Sequence, residues 1–291
     1  MNHKSGFVNI IGSPNVGKST LMNKMMGEKL SIVTSKAQTT RHRIHGILNE
    51  ENYQIVFSDT PGVVNAAYEL HEAMMNYVNT AIKDADVILF ITDVFEKSTN
   101  YEGTLEQLKK TKTPILCLVN KIDLKSQEDV GGVLEHWQNQ LPNANVFPIS
   151  ALHGFNTEVI IDKILELLPE APPYFEKDAI SDRPMRFFVA EIIREKIFLN
   201  LKKEVPYACQ VEVTEYFEEP EIIKIRANII VERDSQKGII IGARGRQLKY
   251  IGIDSRKDIE KFVGKKVFLE TFVKVDKDWR NSEHKLKKYG Y

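Results

Sequence analysis

Gly12-Ser13-Pro14-Asn15-Val16-Gly17-Lys18-Ser19 follows directly on the apolar run at residues 7–11 and leads, through Thr20, into a helix-like stretch at 21–26. It fits the pattern G-x-x-x-x-G-K-[ST]. The spacing has a physical reason: glycines let the backbone wrap round a diphosphate, and successive N–H groups at a helix N-terminus point at its oxygens. Lys18 brings a point charge to the β- and γ-phosphates, and the Ser19 hydroxyl is a ligand for Mg²⁺. The bland alternative is a chance match in a Gly-containing loop. The strand–loop–helix setting argues against it.

Further short apolar runs lie at 53–57, 87–91, 115–119 and 145–149, with amphipathic, helix-length segments at 70–83, 101–110, 130–141 and 158–168. Strands apolar nearly throughout, with helices between them, predict a mainly parallel sheet covered on both faces. Residues 42–48 alternate instead and read as an edge strand. The expectation is a doubly wound α/β domain of about six strands over residues 1–168. Pro169, Pro172 and Pro173 stop the last helix and open a linker at 169–183. Residues 184–291 form the second domain. A helix-like run at 185–201 comes first, followed by alternating strands at 208–218 and 222–234. A helical region at 237–263 and a strand at 266–275 complete an α-β-β-α-α-β order, an α+β domain.

Two more constellations fall at strand ends. Asp59-Thr60-Pro61-Gly62 closes the run at 53–57, placing a carboxylate to hold Mg²⁺ through its water shell and a glycine whose N–H can meet a γ-phosphate. Asn120-Lys121-Ile122-Asp123 closes the run at 115–119, and Ser150-Ala151-Leu152 the run at 145–149. An ionised Asp only accepts hydrogen bonds. Guanine offers it two adjacent donors, N1–H and the 2-amino group, and adenine lacks that pair. Asp123 therefore reads guanine, with Lys121 along the ring and the Ala151 N–H available to the 6-oxo group. The residues expected around the nucleotide are Gly12 to Thr20, Asp59 to Gly62, Asn120, Lys121, Asp123 and Ser150 to Leu152.

In this order the motifs resemble the translation-factor class of P-loop GTPases, and the G-x-P-N-V-G-K-S loop is similar to that of the TrmE, Era and EngA group. The resemblance makes Gln38-Thr39-Thr40-Arg41 the first switch. It implies that Thr40 completes the Mg²⁺ shell beside Ser19 and Asp59, with Thr39 as the alternative. It also implies that Asn15 helps to hold a K⁺ ion near the phosphates. The groups acting in catalysis would be Lys18, Thr40, Asp59 and Gly62. Many regulatory GTPases place a Gln directly after the D-x-x-G glycine to orient the attacking water. Here Val63 and then Val64 stand there. An aliphatic side chain cannot hold that water, so slow intrinsic hydrolysis is expected.

In the second domain Gly242-Ala243-Arg244-Gly245 lies between an Ile-rich run and a basic helix. In KH modules a G-x-x-G loop clamps the backbone of about four single-stranded nucleotides. Gly242, Ala243 and Gly245 would give close approach, while Arg244, Arg246 and Lys249 supply charge. The charge split agrees. Residues 1–172 carry 15 Lys and Arg against 20 acids, residues 173–291 carry 25 against 20, and from Gln236 onward the count is 15 against 7. Such asymmetry points the C-terminal half at a polyanion. The tail at 274–291, basic and carrying Trp279, Tyr289 and Tyr291, either extends an RNA groove or is a solvated end.

A GTPase domain followed by a KH domain resembles the bacterial Era family over essentially the whole chain. EngA-type chains would have two GTPase domains, and TrmE-type chains a longer frame. The resemblance implies GTP and GDP as ligands, binding to 16S rRNA near its 3′ end and assembly of the 30S subunit. It also implies peripheral membrane association, here for a monomer. Coupling would run through the linker, with GTP ordering residues 31–41 and 60–75. Ala243-Arg244 departs from the Lys and Gly common in Era-like loops. The rivals are a non-enzymatic RNA-binding scaffold with a switch site, a tRNA-modification-type GTPase, and a P-loop kinase, against which Asn120 to Asp123 speaks.

At 291 residues, 42 % hydrophobic and 27 % charged, the chain has the balance of a globular protein. No stretch approaches the ~20 apolar residues of a membrane span. Cys117 and Cys209 are far apart in apolar or alternating runs and read as reduced core thiols of a cytoplasmic protein. The start of the chain reads as lacking a signal peptide. The histidines show no metal-ligand spacing.

Overall fold

The computed structural model describes residues 3–34, 36, 38–63, 67–96 and 102–291. They form two compact units, Met1–Ala66 with Ala73–Asp182, and Ala67–Glu72 with Arg183–Tyr291. The first switch at 35 and 37, the second at 64–66 (Val64 included) and Tyr101 lie outside the described residues.

The first unit is a six-stranded sheet in the order β2-β3-β1-β4-β5-β6. Its strands are β1 (Lys4–Ile11), β2 (Ile44–Asn49), β3 (Tyr53–Asp59), β4 (Val87–Asp93), β5 (Ile115–Asn120) and β6 (Ala144–Pro148). Every residue of β4 and β5 is buried, as strands covered on both faces require. Only β2 runs antiparallel, with Ile44 opposite Asp59. The helices are α1 (Lys18–Met26), α2 (Glu69–Lys83), which belongs to this unit from Ala73 on, α3 (Glu102–Lys110), α4 (Gln127–Gln140) and α5 (Thr157–Leu167). Gly17 and Gly27 bracket α1 in left-handed conformations, at φ 106° and 70°. Ser126 caps α4 by accepting the Asp129 N–H. In this architecture ligands bind outside the carboxyl ends of the strands, and Ile11, Asp59, Asp93 and Asn120 all lie at that rim.

Residues 169–182, read from the sequence as a linker, are built into the first unit. Gln54 accepts the Tyr174 and Phe175 N–H groups at 2.7 and 2.9 Å, and its own amide donates to the Phe175 carbonyl. Asn49 donates to Ala179 O, and Ile47 N–H to Ile180 O at 3.0 Å. Ser181 bridges antiparallel to Gly46, and His45 Nδ1 lies 2.9 Å from Asp182.

The second unit packs α6 (Met185–Asn200), α7 (Asp234–Ile241) and α8 (Arg246–Val263) on one face of a sheet of β7 (Gln210–Glu218), β8 (Ile222–Val231) and β9 (Lys266–Val275). β7 pairs antiparallel and β9 parallel with the central β8. Alternation along β8 buries Ile223, Ile225, Ala227 and Ile229 beneath the helices. The helical region at 237–263 is two helices broken at Gly242–Gly245. The aromatic residues of the tail are not a solvated end: Trp279 is fully buried, donates Nε1–H to Ala208 O at 3.0 Å, and has Tyr289 and Tyr291 against its ring, while Lys274, Lys277, Lys287 and Lys288 stay exposed. A last short helix, α9 (Glu283–Lys288), closes this end.

Candidate functional site

At the phosphate end the loop from Gly12 to Ser19 rises from β1 and enters α1. Asn15, at φ 65°, and Gly17 turn it. Lys18 is buried and donates to the carbonyls of Gly12 and Ser13 at 3.0 and 2.8 Å, so its ammonium sits inside the loop that would cradle a phosphate. Burial pulls its pKa down to about 8, against the pull of Asp59 and Glu96. Val63 N–H donates to Gly12 O at 3.0 Å. A Cβ on Gly62 would stand 2.7 Å from Pro14, so only glycine lets the two loops meet. The Thr60 hydroxyl is engaged with Ile10 O at 2.7 Å.

Ser19 Oγ donates to Asp59 Oδ2 at 2.7 Å, and Thr40 Oγ1 lies 3.0 Å from Ser19 Oγ. Thr39 turns away, donating to Lys36 O at 2.7 Å with its hydroxyl 2.8 Å from that of Thr34. Of the two threonines that the sequence leaves open, Thr40 is therefore the one brought to the carboxylate. Asp59 Oδ1 is buried and makes no hydrogen bond of normal geometry. Burial raises the Asp59 pKa, opposed by Ser19, Lys18, Ser31 and Thr40. One carboxylate with an unsatisfied oxygen and two hydroxyls form a hard, all-oxygen donor set. It suits Mg²⁺, which keeps several waters and takes phosphate oxygens as its other ligands. Among the described residues no group of three or more His, Cys, Asp or Glu side chains is placed to hold a metal ion.

At the base end Asn120 is a clasp. Its amide donates to Val16 O at 2.7 Å and accepts the Ala151 N–H at 2.9 Å, tying the phosphate loop to the loop after β6. The Ala151 N–H, expected to be available to a 6-oxo group, is thus engaged by Asn120 in this structure, because that amide is the nearest fixed acceptor. Ser150 Oγ donates to Asp123 Oδ1 at 2.6 Å, aiming the carboxylate. Leu152 is 72 % exposed and offers its backbone rather than a packed side chain. Lys121 Nζ lies 2.6 Å from Asp93 Oδ2. Sequence reasoning missed Asp93, yet it carries the signal used for Asp59: an acid closing an apolar strand.

In the second unit Gly242 (φ 68°), Arg244 (φ 55°) and Gly245 (φ 74°) form the turn between α7 and α8. Ala243, Arg244, Arg246 and Lys249 are exposed. A Cβ on Gly242 would fall 2.6 Å from that of Gln247, whereas one on Gly245 meets open space. The loop thus presents bare backbone beside two arginines and a lysine, the arrangement that grips a sugar–phosphate chain.

Comparison with known proteins agrees with both units. Residues 7–121 match the family described as 50S ribosome-binding GTPase, and residues 204–280 match the KH domain. The chain is 46 % identical to GTPase Era of Alkaliphilus metalliredigens over the full length of both. It is also 46 % identical to the chloroplastic GTPase ERA-like protein of Oryza sativa subsp. japonica, over the whole chain and 70 % of the relative. Among solved structures, Era in complex with MgGDPNP and nucleotides 1506–1542 of 16S ribosomal RNA superposes with a TM-score of 0.95 at 38 % identity, covering 99 % of each chain. A fold, a loop order and a sequence shared from end to end leave one conclusion: the chain belongs to the Era family of GTPases.

Proposed function

We propose that this GTPase couples GTP binding and hydrolysis to recognition of small-subunit ribosomal RNA during 30S assembly. The observation that carries the nucleotide half is the convergence of Ser19, Thr40 and the half-satisfied Asp59 beside the buried Lys18. Lys18 and the N–H groups from Asn15 to Thr20 grip the phosphates. Ser19 and Thr40 ligate Mg²⁺ directly, and Asp59 holds it through water. Bound there, the ion would supply positive charge that offsets the negative charge shifting in the transition state. Gly62 N–H meets the γ-phosphate, and Asp123, aimed by Ser150, takes the guanine N1–H and 2-amino donors. Val63 has no group with which to orient water, so intrinsic turnover is slow. Asn15 lines the same cavity as Lys18 and Ser19, and its neutral amide oxygen is a ligand for K⁺.

Gly242 to Arg246 and Lys249 take the RNA backbone. The RNA is assigned to the 3′ end of 16S rRNA because the Era structure described above carries nucleotides 1506–1542. Among the described residues no helix is long and apolar enough to cross a membrane. The protein acts as a cytoplasmic monomer in peripheral contact with the membrane, a reading that the family resemblance supports, and the buried thiols Cys117 and Cys209, neither of them in a disulfide, suit a reducing compartment. Crosslinking the GTP-loaded protein to total cellular RNA and sequencing the bound segments tests the reading. Enrichment of the 16S 3′ end is expected. Reads spread evenly over ribosomal RNA would overturn it.

A further inference from the structure

The base end holds an ion pair that the guanine-reading motif does not require. Asp93 is the last residue of β4, in register with Asn120 at the end of β5. Its side chain is 8 % exposed. A carboxylate withdrawn from water this far costs several kcal/mol unless it is paired and hydrogen-bonded. Both conditions are met. Lys121 Nζ donates to Oδ2 at 2.6 Å, and the Phe95 N–H donates to Oδ1 at 2.9 Å.

The backbone at Lys121 is fixed separately from its side chain. Lys121 sits at φ 62° and ψ 31°, a left-handed conformation that an L-residue adopts only when its surroundings impose it. Asn120 O accepts the Val94 N–H at 3.2 Å, and Lys121 O accepts the Leu124 N–H at 3.0 Å. Both ends of the lysine are thereby held, its backbone by the strand ends and its ammonium by Asp93. Between them lie four methylenes. A free lysine stem samples many rotamers, whereas one tied at its tip is a fixed apolar rail.

We propose that Asp93 is a positioning residue for guanine nucleotide. By anchoring the Lys121 ammonium it orders the lysine stem in advance as one wall for the face of the base. The inference rests on the reading of Asn120 to Asp123 as the base site. It differs from the role of Asp123, which reads the edge of the ring and so discriminates between bases. A wall against the ring face adds affinity for any purine carrying the right edge and leaves discrimination alone. Ordering one long side chain in advance is worth about two- to tenfold in affinity.

The test is stopped-flow release of a fluorescent N-methylanthraniloyl GDP from the full chain. Asp93→Asn keeps the shape and removes the charge. It is expected to speed release by about two- to tenfold, to leave the ratio of GDP to IDP affinity at its wild-type value, and to be restored by Asp93→Glu. In a Lys121→Met background the same change should add nothing, because there is no ammonium left to hold. The double variant Asp93→Asn/Lys121→Met leaves no buried charge unpaired. If the single variant does not fold, the comparison of Lys121→Met with the double variant carries the test, and equal release rates are expected. Wild-type release from Asp93→Asn, or a further acceleration in the double variant, overturns the proposal. If Lys121→Met itself releases nucleotide at the wild-type rate, the reading of the base site fails rather than the tether.

Discussion

Lys18 yields a prediction with a worked magnitude. Its ammonium is buried against two carbonyls of its own loop, and its pKa falls from 10.5 to about 8. Bound phosphate reverses this, since two or more negative charges at contact restore the charged form. Binding therefore requires the protonated lysine, and affinity follows its protonated fraction. Raising the pH from 7 to 9 lowers that fraction about tenfold, so the affinity for GDP should fall by about tenfold over that interval. Proton uptake on binding should rise from about 0.1 to about 0.9 per nucleotide. Calorimetry in buffers of different ionisation heat reads both quantities. The range stops at pH 9 because the guanine N1 proton begins to leave above it. Lys18→Arg cannot lose its charge and should show a flat profile. The same shift has a cost when no ligand is bound. For a base whose folded pKa lies below its unfolded one, the unfolded chain binds more protons between about pH 8 and 10.5, so the contribution of Lys18 to stability improves as pH rises through that window. At neutral pH the penalty is about 3 kcal/mol. Affinity unchanged between pH 7 and 9 in the wild-type protein would refute the argument.

Four shorter predictions accompany it. Asp123→Asn should move preference from guanosine to xanthosine triphosphate, with loss of GTP affinity of at least about tenfold from one charge-assisted bond, and retained GTP selectivity in competition binding would place the reader elsewhere. Turnover in KCl should exceed that in NaCl at matched ionic strength, and equal rates would remove K⁺ and Asn15 from the site. Gly242→Ala sets a Cβ 2.6 Å from that of Gln247 at φ 68° and ψ 177°, a region open essentially to glycine alone; it should cost about 1–3 kcal/mol and weaken RNA retention on filters, whereas Gly245→Ala, with open space around it, costs only the strain of its φ. Trp279→Ala empties a fully buried ring site and should destabilise the second unit by about 3–5 kcal/mol in denaturant melts; a loss below 1 kcal/mol would mean that the tail is not part of the core.

The parallel sheet was legible because strands covered on both faces are apolar nearly throughout, as β4 and β5 are, and because acids and amides punctuate their ends. The break at Gly242–Gly245 was legible too: the α-β-β-α-α-β order already counts two helices at 237–263, and the G-x-x-G motif marks their junction, although Ile239 to Ile241 and Leu248 to Ile251 keep a helical rhythm across it. Thr39 and Thr40 carry identical hydroxyls, and only the turn through Lys36 and Thr34 decides which one faces Asp59. Trp279 was hidden for another reason. Its neighbours are charged, and its burial comes from Tyr289, Tyr291 and the distant Ala208 carbonyl. Asp93 was readable but passed over, because its partner lies 28 residues on.

The strip from Tyr174 to Asp182 has a further consequence. β2 ends the order of the sheet, and a bare margin of that kind offers unpaired N–H and C=O groups to any passing extended chain. By hydrogen-bonding to Ile47, Asn49 and Gln54, the polypeptide seals its own selvedge. A fragment cut at Leu168 would keep every residue assigned to the nucleotide yet present a raw hem, and such a fragment should stick to its own kind in solution where the intact protein stays dispersed.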